Sequence, residues 1–453
     1  MGAAYDLAAL GSGLATTLAA ALAARRGQRV LLAPGRRPHA TFRHGPHLLD
    51  ARLQLLSGLS RPLARQVLSE LQLDRFVDER ITPFTPPLQL LLPGACIDVG
   101  PDDEALLDEL DRERLLLPAE AERMLFQLAR ASRIADQLLR PESGWPVAQT
   151  PDLEGVELDL PRAPLPMVLI RGPASAVSPV VPDDLGPVPL ARLLSSWRQG
   201  SCALVGGLAS VELALHELLL AAGGEIIADS DPLGLLTSPQ GSPRGVMLEG
   251  RPGTLLARQF VLGLSPRRLR AQSMLGLQLP WLAAPEEVAR RHILHLFFRR
   301  GRLPASMGDL LLLVPRLADG QTLLGLVSDP TLTSDEVVLS VQEMLPLSRC
   351  TTDGLRQAET RVLELVRRVV PFFDEAFVGA CSPHREHSVP MESVVALTPD
   401  PRQPSLLAGI PSLPLDPGLG NTALVHSSVL GALGTEGSFA AAWSAVQMLS
   451  GET

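Results

Sequence analysis

A short glycine-containing turn near the start of the chain has the composition of a phosphate-binding site. It consists of Gly11, Ser12, Gly13 and Leu14. The apolar residues 7–10 before it predict a strand, residues 14–26 predict a helix that Gly27 ends, and residues 29–33 predict a second strand. A strand, a glycine turn, a helix and a parallel strand form a dinucleotide-binding βαβ unit, in which backbone amides at the start of the helix bind a pyrophosphate.

Two positions in this unit depart from the usual dinucleotide-binding pattern. Thr16 stands where the third glycine of G-x-G-x-x-G would lie, and its side chain is expected to crowd the helix against the strand. Pro34 ends the second strand, where a carboxylate would normally bind the hydroxyls of the adenosine ribose. Proline offers neither a donor nor a side-chain acceptor at that point.

Two arginines, Arg36 and Arg37, directly follow this proline. Arginines here receive the 2′-phosphate in NADP sites, so NADP is the minor alternative cofactor. Because charged surface side chains commonly have no specific ligand, we favour a solvated loop for both.

Composition restricts the partners and the setting of the protein. At 453 residues the chain is long enough for two or three domains. Its net charge of −9 and the lack of a long basic block argue against nucleic acid as a partner. The apolar run over 7–24 is interrupted by the glycine turn and follows no basic segment, so it predicts neither a membrane span nor a signal peptide. Four scattered cysteines are too few for a disulfide framework, and we expect a cytoplasmic protein.

The basic and aromatic residues exclude some mechanisms. All 40 basic residues are arginine, which excludes a lysine base, a Schiff base or an ε-amine contact. Tyr5 is the only tyrosine, so a cage of tyrosines around a cationic substrate is excluded as well.

Hydrophobic periodicity divides the remaining chain into helical and extended regions. Helices are predicted over residues 62–73, 102–139, 210–222, 352–370 and 436–449, and strands over 225–229, 245–249, 255–264, 292–298, 310–314, 323–327, 337–341 and 422–425. Turns separate the strands over 290–345, which favours a mostly antiparallel sheet. The proline-rich residues 141–190 predict an irregular connection, either a lid or a plain linker.

Four stretches, in this order, resemble the flavin-dependent amine oxidase and phytoene desaturase superfamily. They are GSGLATTLAAALAARRGQRVLL, VGGLASVELALHELLLAAGGEII with the strands ending in FVLGLSPRRL, VRRVVPFFDEAF, and the tail NTALVHSSVLGALGTEGSFAAAWSAV. Together they span nearly the whole chain. The resemblance implies an α/β fold in which a Rossmann-like FAD-binding domain is interleaved with an α+β substrate domain.

The resemblance also implies how segments are shared between the two domains. Residues 1–60, 195–275 and 415–453 would form the dinucleotide (FAD)-binding domain. Residues 61–194 and 276–414 would form the substrate domain, with a sheet as its floor and helices as its walls.

Two further glycine-containing turns would lie near the cofactor in this resemblance. The first is Gly206 with Gly207, before the helix of the middle block. The second comprises Gly434, Glu436 and Gly437, at the amino end of the last helix, which would point at the flavin or the pyrophosphate. The more ordinary role for Glu436 is to cap that helix and pair with its dipole.

The tail adds a third departure from the family pattern. The family usually ends its last strand with Gly-Asp, whose carboxylate meets the ribitol hydroxyls, and here that place is taken by His426 and Ser427. Thr16, Pro34 and Ser427 thus replace three expected FAD contacts. Each lost polar contact costs about 1–3 kcal/mol, so we expect FAD to bind weakly or not at all.

Other clusters of reactive residue types are weaker candidates. The segment Cys381–His387 contains ligand types at short spacing, but zinc needs a fourth ligand and no pair elsewhere has suitable spacing, so we expect a polar loop and no metal site. His292 and His295 face opposite sides of a strand and form no chelate. His44 and His47 flank a turn that, by resemblance, passes near the flavin, although capping that turn is the commoner role.

Two functions from different classes remain. The slightly favoured hypothesis is a non-catalytic member of the superfamily that kept its two-domain framework, lost FAD, and binds an apolar small molecule or a protein partner, as Rab-escorting relatives do. The alternative is an active FAD-dependent desaturase or dehydrogenase on an isoprenoid- or polyene-like substrate. We expect an apolar cleft between the sheet over 290–345 and the helices over 62–139, and brief contact with a membrane surface.

Overall fold

The computed structural model of the chain contains two large sheets, each covered by helices. It describes residues 4–36, 41–53, 55–139, 164–238, 242–264, 268, 286–316, 322–328, 335–396, 415–416, 419–427 and 429–451. Arg37, residues 141–163 of the proline-rich tract and the turns at residues 319–320 and 329–330 lie outside these ranges. Within them, no helix is both long and apolar enough to cross a bilayer.

The strands, numbered in chain order, are β1 (Tyr5–Leu10), β2 (Val30–Gly35), β3 (Thr41–His44), β4 (His47–Asp50), β5 (Ile81–Pro83), β6 (Gln89–Leu92), β7 (Ala95–Asp98), β8 (Cys202–Leu204), β9 (Glu225–Ala228), β10 (Pro232–Thr237), β11 (Pro243–Leu248), β12 (Leu255–Leu262), β13 (Glu286–Arg299), β14 (Leu310–Leu313), β15 (Leu323–Ser328), β16 (Glu336–Pro346), β17 (Phe377–Cys381), β18 (Glu392–Ala396) and β19 (Thr422–Leu424).

The α-helices are α1 (Leu14–Arg25), α2 (Pro62–Glu70), α3 (Asp74–Asp78), α4 (Asp103–Arg112), α5 (Pro118–Leu138), α6 (Pro164–Val177), α7 (Pro187–Gly200), α8 (Gly207–Ala221), α9 (Thr352–Val369), α10 (Phe373–Ala376), α11 (Pro383–Glu386) and α12 (Thr435–Ser450).

A seven-stranded sheet draws strands from three distant parts of the chain. Its parallel core has the order β19-β12-β1-β2-β9, and the β10–β11 hairpin pairs antiparallel with the start of β12. The predicted βαβ unit is present, and the sheet is Rossmann-like, as the α/β class predicted. Helix α1 packs against α8 and α12 beside this sheet. Alanines line α1 and α12, and such small side chains allow helices to approach closely.

An eight-stranded mixed sheet, together with the helices that cover it, forms the second of the two layered units and is named the second layer system. Its order is β17-β13-β16-β15-β14-β6-β7, with β18 also paired to β13 and with β14 and β6 parallel. Alternate residues of β14 point to opposite faces: Leu312 contacts Gly172 of α6, whereas Leu311 and Leu313 share a core with Val366 of α9. The sheet over 290–345 is mostly antiparallel, as predicted.

Two helical predictions were wrong in their boundaries. The single helix predicted over 102–139 is broken into α4 and α5, because Arg114 has a left-handed φ of +54° and Pro118 disfavours helical geometry in the residue before it. The helix predicted over 62–73 ends at Glu70, since Gln72 has a φ of +58°.

The prediction of an irregular connection over 141–190 was also wrong where the structure describes it. Residues 164–177 form α6, and α7 begins at residue 187. Each helix begins with a proline, and proline is tolerated there because first-turn amides have no partner within the helix. Helix α6 lies on the eight-stranded sheet beside β15 and β16, and α4, from the region of residues 62–139, contacts β7 of the same sheet.

Removing residues 415–453 is expected to abolish the cooperative thermal transition of the chain. The deletion removes β19 from beside β12 and α12 from beside α1, including the buried Phe439 and Trp443. Each large apolar side chain contributes about 1.5–3 kcal/mol, and the net stability of a domain is only about 5–15 kcal/mol. Circular dichroism against temperature measures the transition.

A chain that ends at Gly451 is the control and should melt like the full protein. A truncated chain that keeps a cooperative transition and its solubility would show that the seven-stranded sheet does not depend on the tail.

Candidate functional site

The carboxyl ends of the parallel strands meet on one edge of the seven-stranded sheet. Gly11 follows β1, Pro34 lies at the end of β2, Gly263 follows β12, and Ser427 lies shortly after β19. In open α/β sheets this edge is where ligands bind. The candidate site is therefore built from the turns after four strands, and the structure brings the glycine turn together with all three departures from the family pattern.

Two glycines meet where β1 turns into α1. Gly11 has a φ of +119°, and a Cβ atom on it would lie 2.7 Å from the carbonyl carbon of Gly263. The amide of Gly263 donates to the carbonyl of Leu10 at 2.7 Å, so the two chains are in close contact. Glycine is thus required at residue 11 for two reasons. Other residues rarely adopt its backbone conformation, and any side chain there would collide with Gly263.

Thr16 is accommodated in the same contact. A Cβ atom on Gly263 would overlap Thr16 Oγ1, so the threonine occupies the space that a side chain at residue 263 would fill. The crowding expected from Thr16 is therefore relieved by a glycine on the neighbouring strand. Sequence reasoning missed Gly263. A glycine near the carboxyl end of a predicted strand often marks a place where another segment packs closely against the strand, and this signal was available.

At the end of β2 the structure places a carboxylate that the sequence did not reveal. Asp231 follows β9, the neighbour of β2, and its Oδ1 atom would lie 2.6 Å from a Cβ atom on Gly35. That oxygen accepts a hydrogen bond from the Arg36 amide at 3.1 Å, and it lies 3.3 Å from Nη1 of Arg268. The carboxylate beside Pro34 is thus already engaged by two donors.

Arg36 is exposed, as predicted, but it is not simply solvated. Its guanidinium lies 3.1 Å from a carboxylate oxygen of Glu249, and its Nε donates to the carbonyl of Asp229 at 3.4 Å. These contacts hold the side chain against the segments that directly follow β9 and β11.

Gly206 and Gly207 begin α8, as the sequence indicated. Gly206 has a left-handed φ of +82° and is exposed. Because α8 leads into β9 as α1 leads into β2, both helices begin on the carboxyl side of the sheet. The placement of these glycines beside a cofactor stays a prediction.

The start of α12 has its own conformational demands. Gly434 has φ +58° and ψ −130°, a region that suits glycine, and a Cβ atom on Gly437 would collide with the carbonyl oxygen of Leu430. Both glycines are therefore needed for the turn itself, and their amides lie at the amino end of the helix.

Glu436 makes a different contact from the one expected for a cofactor ligand. Its carboxylate is buried and accepts two hydrogen bonds from Arg192, from Nη2 at 2.7 Å and from Nε at 3.0 Å. Ser196 Oγ also donates to it at 3.3 Å. Both carboxylate oxygens of Glu436 therefore accept hydrogen bonds from side chains of α7. These contacts account for a buried carboxylate at this position without a cofactor.

This carboxylate belongs to a buried polar network. Arg192 Nη1 donates to Asp136 of α5 at 2.6 Å and to Ser132 at 3.2 Å, and Arg61 donates to Ser196 at 3.3 Å. Desolvation opposes the charge of Arg192, but Glu436 outweighs it and raises the pKa of that guanidinium. At Arg61, burial and then the positive charge of Arg192 lower the pKa. The network joins α5, α7 and α12.

A second charged cluster lies next to the end of β19, where sequence reasoning found only His426. Arg291 of β13 is buried, and its Nη1 lies 3.0 Å from Oε2 of Glu392 on β18. Burial opposes the charge on Glu392, but the nearby Arg291 and Arg52 lower its pKa overall. Burial lowers the pKa of His426 to about 4, so its imidazole is neutral at physiological pH.

The turn with His44 and His47 packs on the eight-stranded sheet. Both rings stack on Phe297 of β13, with ring centroids 5.4 Å and 5.1 Å away, and His47 Nε2 lies 2.8 Å from Oε2 of Glu336. His295 on the same strand interacts with Ser340, and burial lowers its pKa to about 3. These contacts give His47 a structural partner and direct His44 toward residues 381–387.

The carboxyl edge suits one part of FAD better than the others. The start of α1 offers backbone amides for a pyrophosphate. At the ribose position Pro34 has no polar side chain, and at the ribitol position Ser427 offers a hydroxyl where the family has a carboxylate. The start of α1 therefore fits a pyrophosphate, the poor fit to the two polyol groups stays a prediction, and we derive no reaction step through the cofactor.

No family model and no curated protein sequence matches the chain, whereas many solved structures do. An oxidoreductase from Methanosarcina mazei is 13% identical, with a TM-score of 0.62 over 96% of this chain and 98% of that one. Cyclohexylamine oxidase from Brevibacterium oxydans is 14% identical, with a TM-score of 0.59 over 99% of each chain. A Rab GDI from Plasmodium falciparum is 10% identical, with a TM-score of 0.56 over 100% and 99%.

These similarities extend over the whole chain and show that it has the fold of the flavin amine oxidases. The α/β class, the Rossmann-like sheet and the mixed sheet of the second layer system, all expected from the resemblance, are confirmed. Because these structures are only 10–14% identical to the chain in sequence, their similarity establishes the fold and does not establish the function.

Gly263→Ala is expected to destabilise the protein by about 2 kcal/mol, because the added methyl group overlaps Thr16. Thr16→Gly in the same chain should recover part of the loss, giving a coupling energy of about 1 kcal/mol or more in a double-mutant cycle measured by urea unfolding. Gly379→Ala is the control, since nothing lies within 4 Å of its added Cβ atom. Additive effects of the two substitutions would contradict the contact.

Glu436→Gln should destabilise the chain by about 3 kcal/mol, because it leaves the buried Arg192 with a single carboxylate partner. Glu79→Gln breaks an exposed pair with Arg75 and should cost less than about 1 kcal/mol. Chemical denaturation of both variants measures the difference. Equal losses would mean that the buried network contributes no more than a surface ion pair.

Proposed function

We propose that this protein is a non-catalytic binding member of the flavin amine oxidase fold, whose FAD site is reduced to a weak pyrophosphate site. The observation that carries the proposal is the end of β2, where Pro34 stands at the place expected for a carboxylate and Oδ1 of the neighbouring Asp231 contacts the Arg36 amide and Arg268. A ribose hydroxyl that used this oxygen would have to share it with both donors.

Two further features support the same proposal. At the end of β19, the ribitol would meet Ser427 and a neutral His426 instead of a carboxylate. At the start of α12, the carboxylate of Glu436 is occupied by Arg192. A buried flavin whose hydroxyls lack partners would bind poorly, because unpaired polar groups are costly to bury.

An apolar molecule is the ligand class that we propose for the second layer system. Leucines of β14 and β15 form an apolar face against which α6 lies, with Leu312 touching Gly172. The ligand site is thus proposed beneath α6 rather than beneath the helices of residues 62–139.

A protein partner or a membrane surface is the alternative binding role. Leu213 and Leu220 are 60% and 54% exposed and lie seven residues apart on α8, so they share one side of that helix. Exposed large apolar residues on one helix face suit a partner surface. This stripe is separate from the face beneath α6, so the two roles are distinguishable by variants.

We expect the purified protein to be largely colourless. Pro34→Glu with Ser427→Asp should then raise flavin affinity by about 2–4 kcal/mol if both carboxylates regain a charged hydrogen bond. Absorption spectra and calorimetric titration with FAD measure the effect. The control pair Pro252→Glu with Ser306→Asp makes the same changes at exposed positions and should leave affinity unchanged.

A yellow wild-type preparation that releases near-stoichiometric flavin on denaturation would overturn the proposal and favour the FAD-dependent oxidoreductase. In that case Asp231→Asn should release the flavin if Asp231 serves as the ribose ligand. Native mass spectrometry and lipid extraction of the same preparation would identify a bound apolar molecule.

A further inference from the structure

Four side chains with metal-binding atoms meet at the edge of the eight-stranded sheet. They are His44, Cys381, Glu386 and His387, and one donor atom from each lies within 4.8 Å of the others. We propose that these residues form a zinc site, separate from the carboxyl edge of the seven-stranded sheet.

The fold brings these ligands from two distant segments. His44 ends β3, Cys381 ends β17, and Glu386 lies in the short helix α11 with His387 directly after it. Phe42 of β3 packs in one apolar cluster with Phe297 and Cys381, which holds the β3–β4 hairpin against the sheet. The fourth ligand that the sequence lacked at suitable spacing is thus His44, and its position depends on tertiary packing.

Residues around the four ligands orient them. Arg385 Nη2 lies 3.0 Å from Oε1 of Glu386, which leaves Oε2 directed toward Nδ1 of His44 at 3.7 Å. Arg385 is itself fixed by Glu359, at 2.8 Å from Nε. Partners that fix a ligating carboxylate from behind are a regular feature of metal sites.

The two imidazoles are held by aromatic contacts. His44 stacks on Phe297 at 5.4 Å between ring centroids, and His387 lies 4.5 Å from the ring of Phe42. Because each ring is restrained on one face, its nitrogen atoms have few orientations available. Both histidines are therefore prepared to bind before a metal arrives.

The donor set selects the class of metal. Two imidazoles, one thiolate and one carboxylate suit zinc, which takes four ligands in a tetrahedral arrangement. Thiolate and carboxylate together balance the charge of a divalent ion. Bonds of about 2.0–2.3 Å place neighbouring donors about 3.3–3.8 Å apart, so the four donor atoms, now within 4.8 Å of one another, must move closer by about 1 Å when a metal binds.

Four protein ligands leave no open coordination position, which is the arrangement of a structural zinc site. The metal would join the β3–β4 hairpin, which follows the βαβ unit, to residues 381–387 beside the mixed sheet. We therefore expect it to stabilise the contact between the two sheet systems. Cys381 is fully buried whereas Glu386 and His387 are exposed, so the ion can enter from that exposed side.

Zinc and cobalt binding to the untagged full-length protein tests the proposal. The protein is treated with zinc chloride and desalted. Inductively coupled plasma mass spectrometry should then detect one equivalent of bound zinc. Cobalt chloride should produce a thiolate-to-cobalt charge-transfer band with the intense visible bands of a four-coordinate ion. X-ray absorption of the zinc form should show one sulfur ligand at about 2.3 Å with lighter ligands.

Variants identify the ligands. Cys381→Ser should remove the charge-transfer band, and His44→Gln should weaken zinc binding by about 100-fold or more. Cys350→Ser, at a cysteine between β16 and α9 that is not among the four ligands, should retain both properties. The absence of a cobalt band or of a zinc–sulfur distance in the wild type would overturn the proposal without any variant. An unchanged band in Cys381→Ser would overturn it equally.

Discussion

A buried ion pair connects the tail of the chain to its middle. Arg192 donates two hydrogen bonds to Glu436 and a further one to Asp136, so α5, α7 and α12 are joined through one guanidinium. A planar group with five donors is suited to such a junction, because it binds a carboxylate bidentately and still has an N–H free for another acceptor. Desolvation of these charges is costly, and the pair is favourable only while every partner stays in place. The position of α12, and with it the last strand of the Rossmann-like sheet, depends on this contact.

Close packing imposes a second constraint at the carboxyl edge. Gly11, Thr16 and Gly263 fill one small space between β1, α1 and β12, and a side chain at residue 263 would displace the threonine. The usual third glycine of the helix has thus been exchanged for a glycine on the neighbouring strand.

The fold of this protein does not by itself determine its chemistry. Solved structures that match along the whole chain include an amine oxidase and a Rab GDI, so the arrangement of sheets is compatible with more than one role. What distinguishes the chain is local: a proline and a hydroxyl where carboxylates are usual, and a His-Cys-Glu-His cluster where the hairpin meets the mixed sheet. Function must therefore be argued from these side chains.

The sequence by itself determined the βαβ unit, most strands and the superfamily fold, because these depend on short-range periodicity and on glycines at fixed spacing. It also led to the prediction that Pro34 and Ser427 stand where the family has carboxylates, and this stays a prediction. Tertiary structure alone decided the partners of Glu436, the carboxylate of Asp231 beside β2, the accommodation of Thr16 by Gly263 and the approach of His44 to Cys381. Each of these contacts joins residues from different segments, and their distances follow from strand order and helix packing. The helices that begin at Pro164 and Pro187 were missed because a proline-rich stretch predicts irregular structure, whereas proline is compatible with the first turn of a helix and α6 also contains Pro173 in its interior.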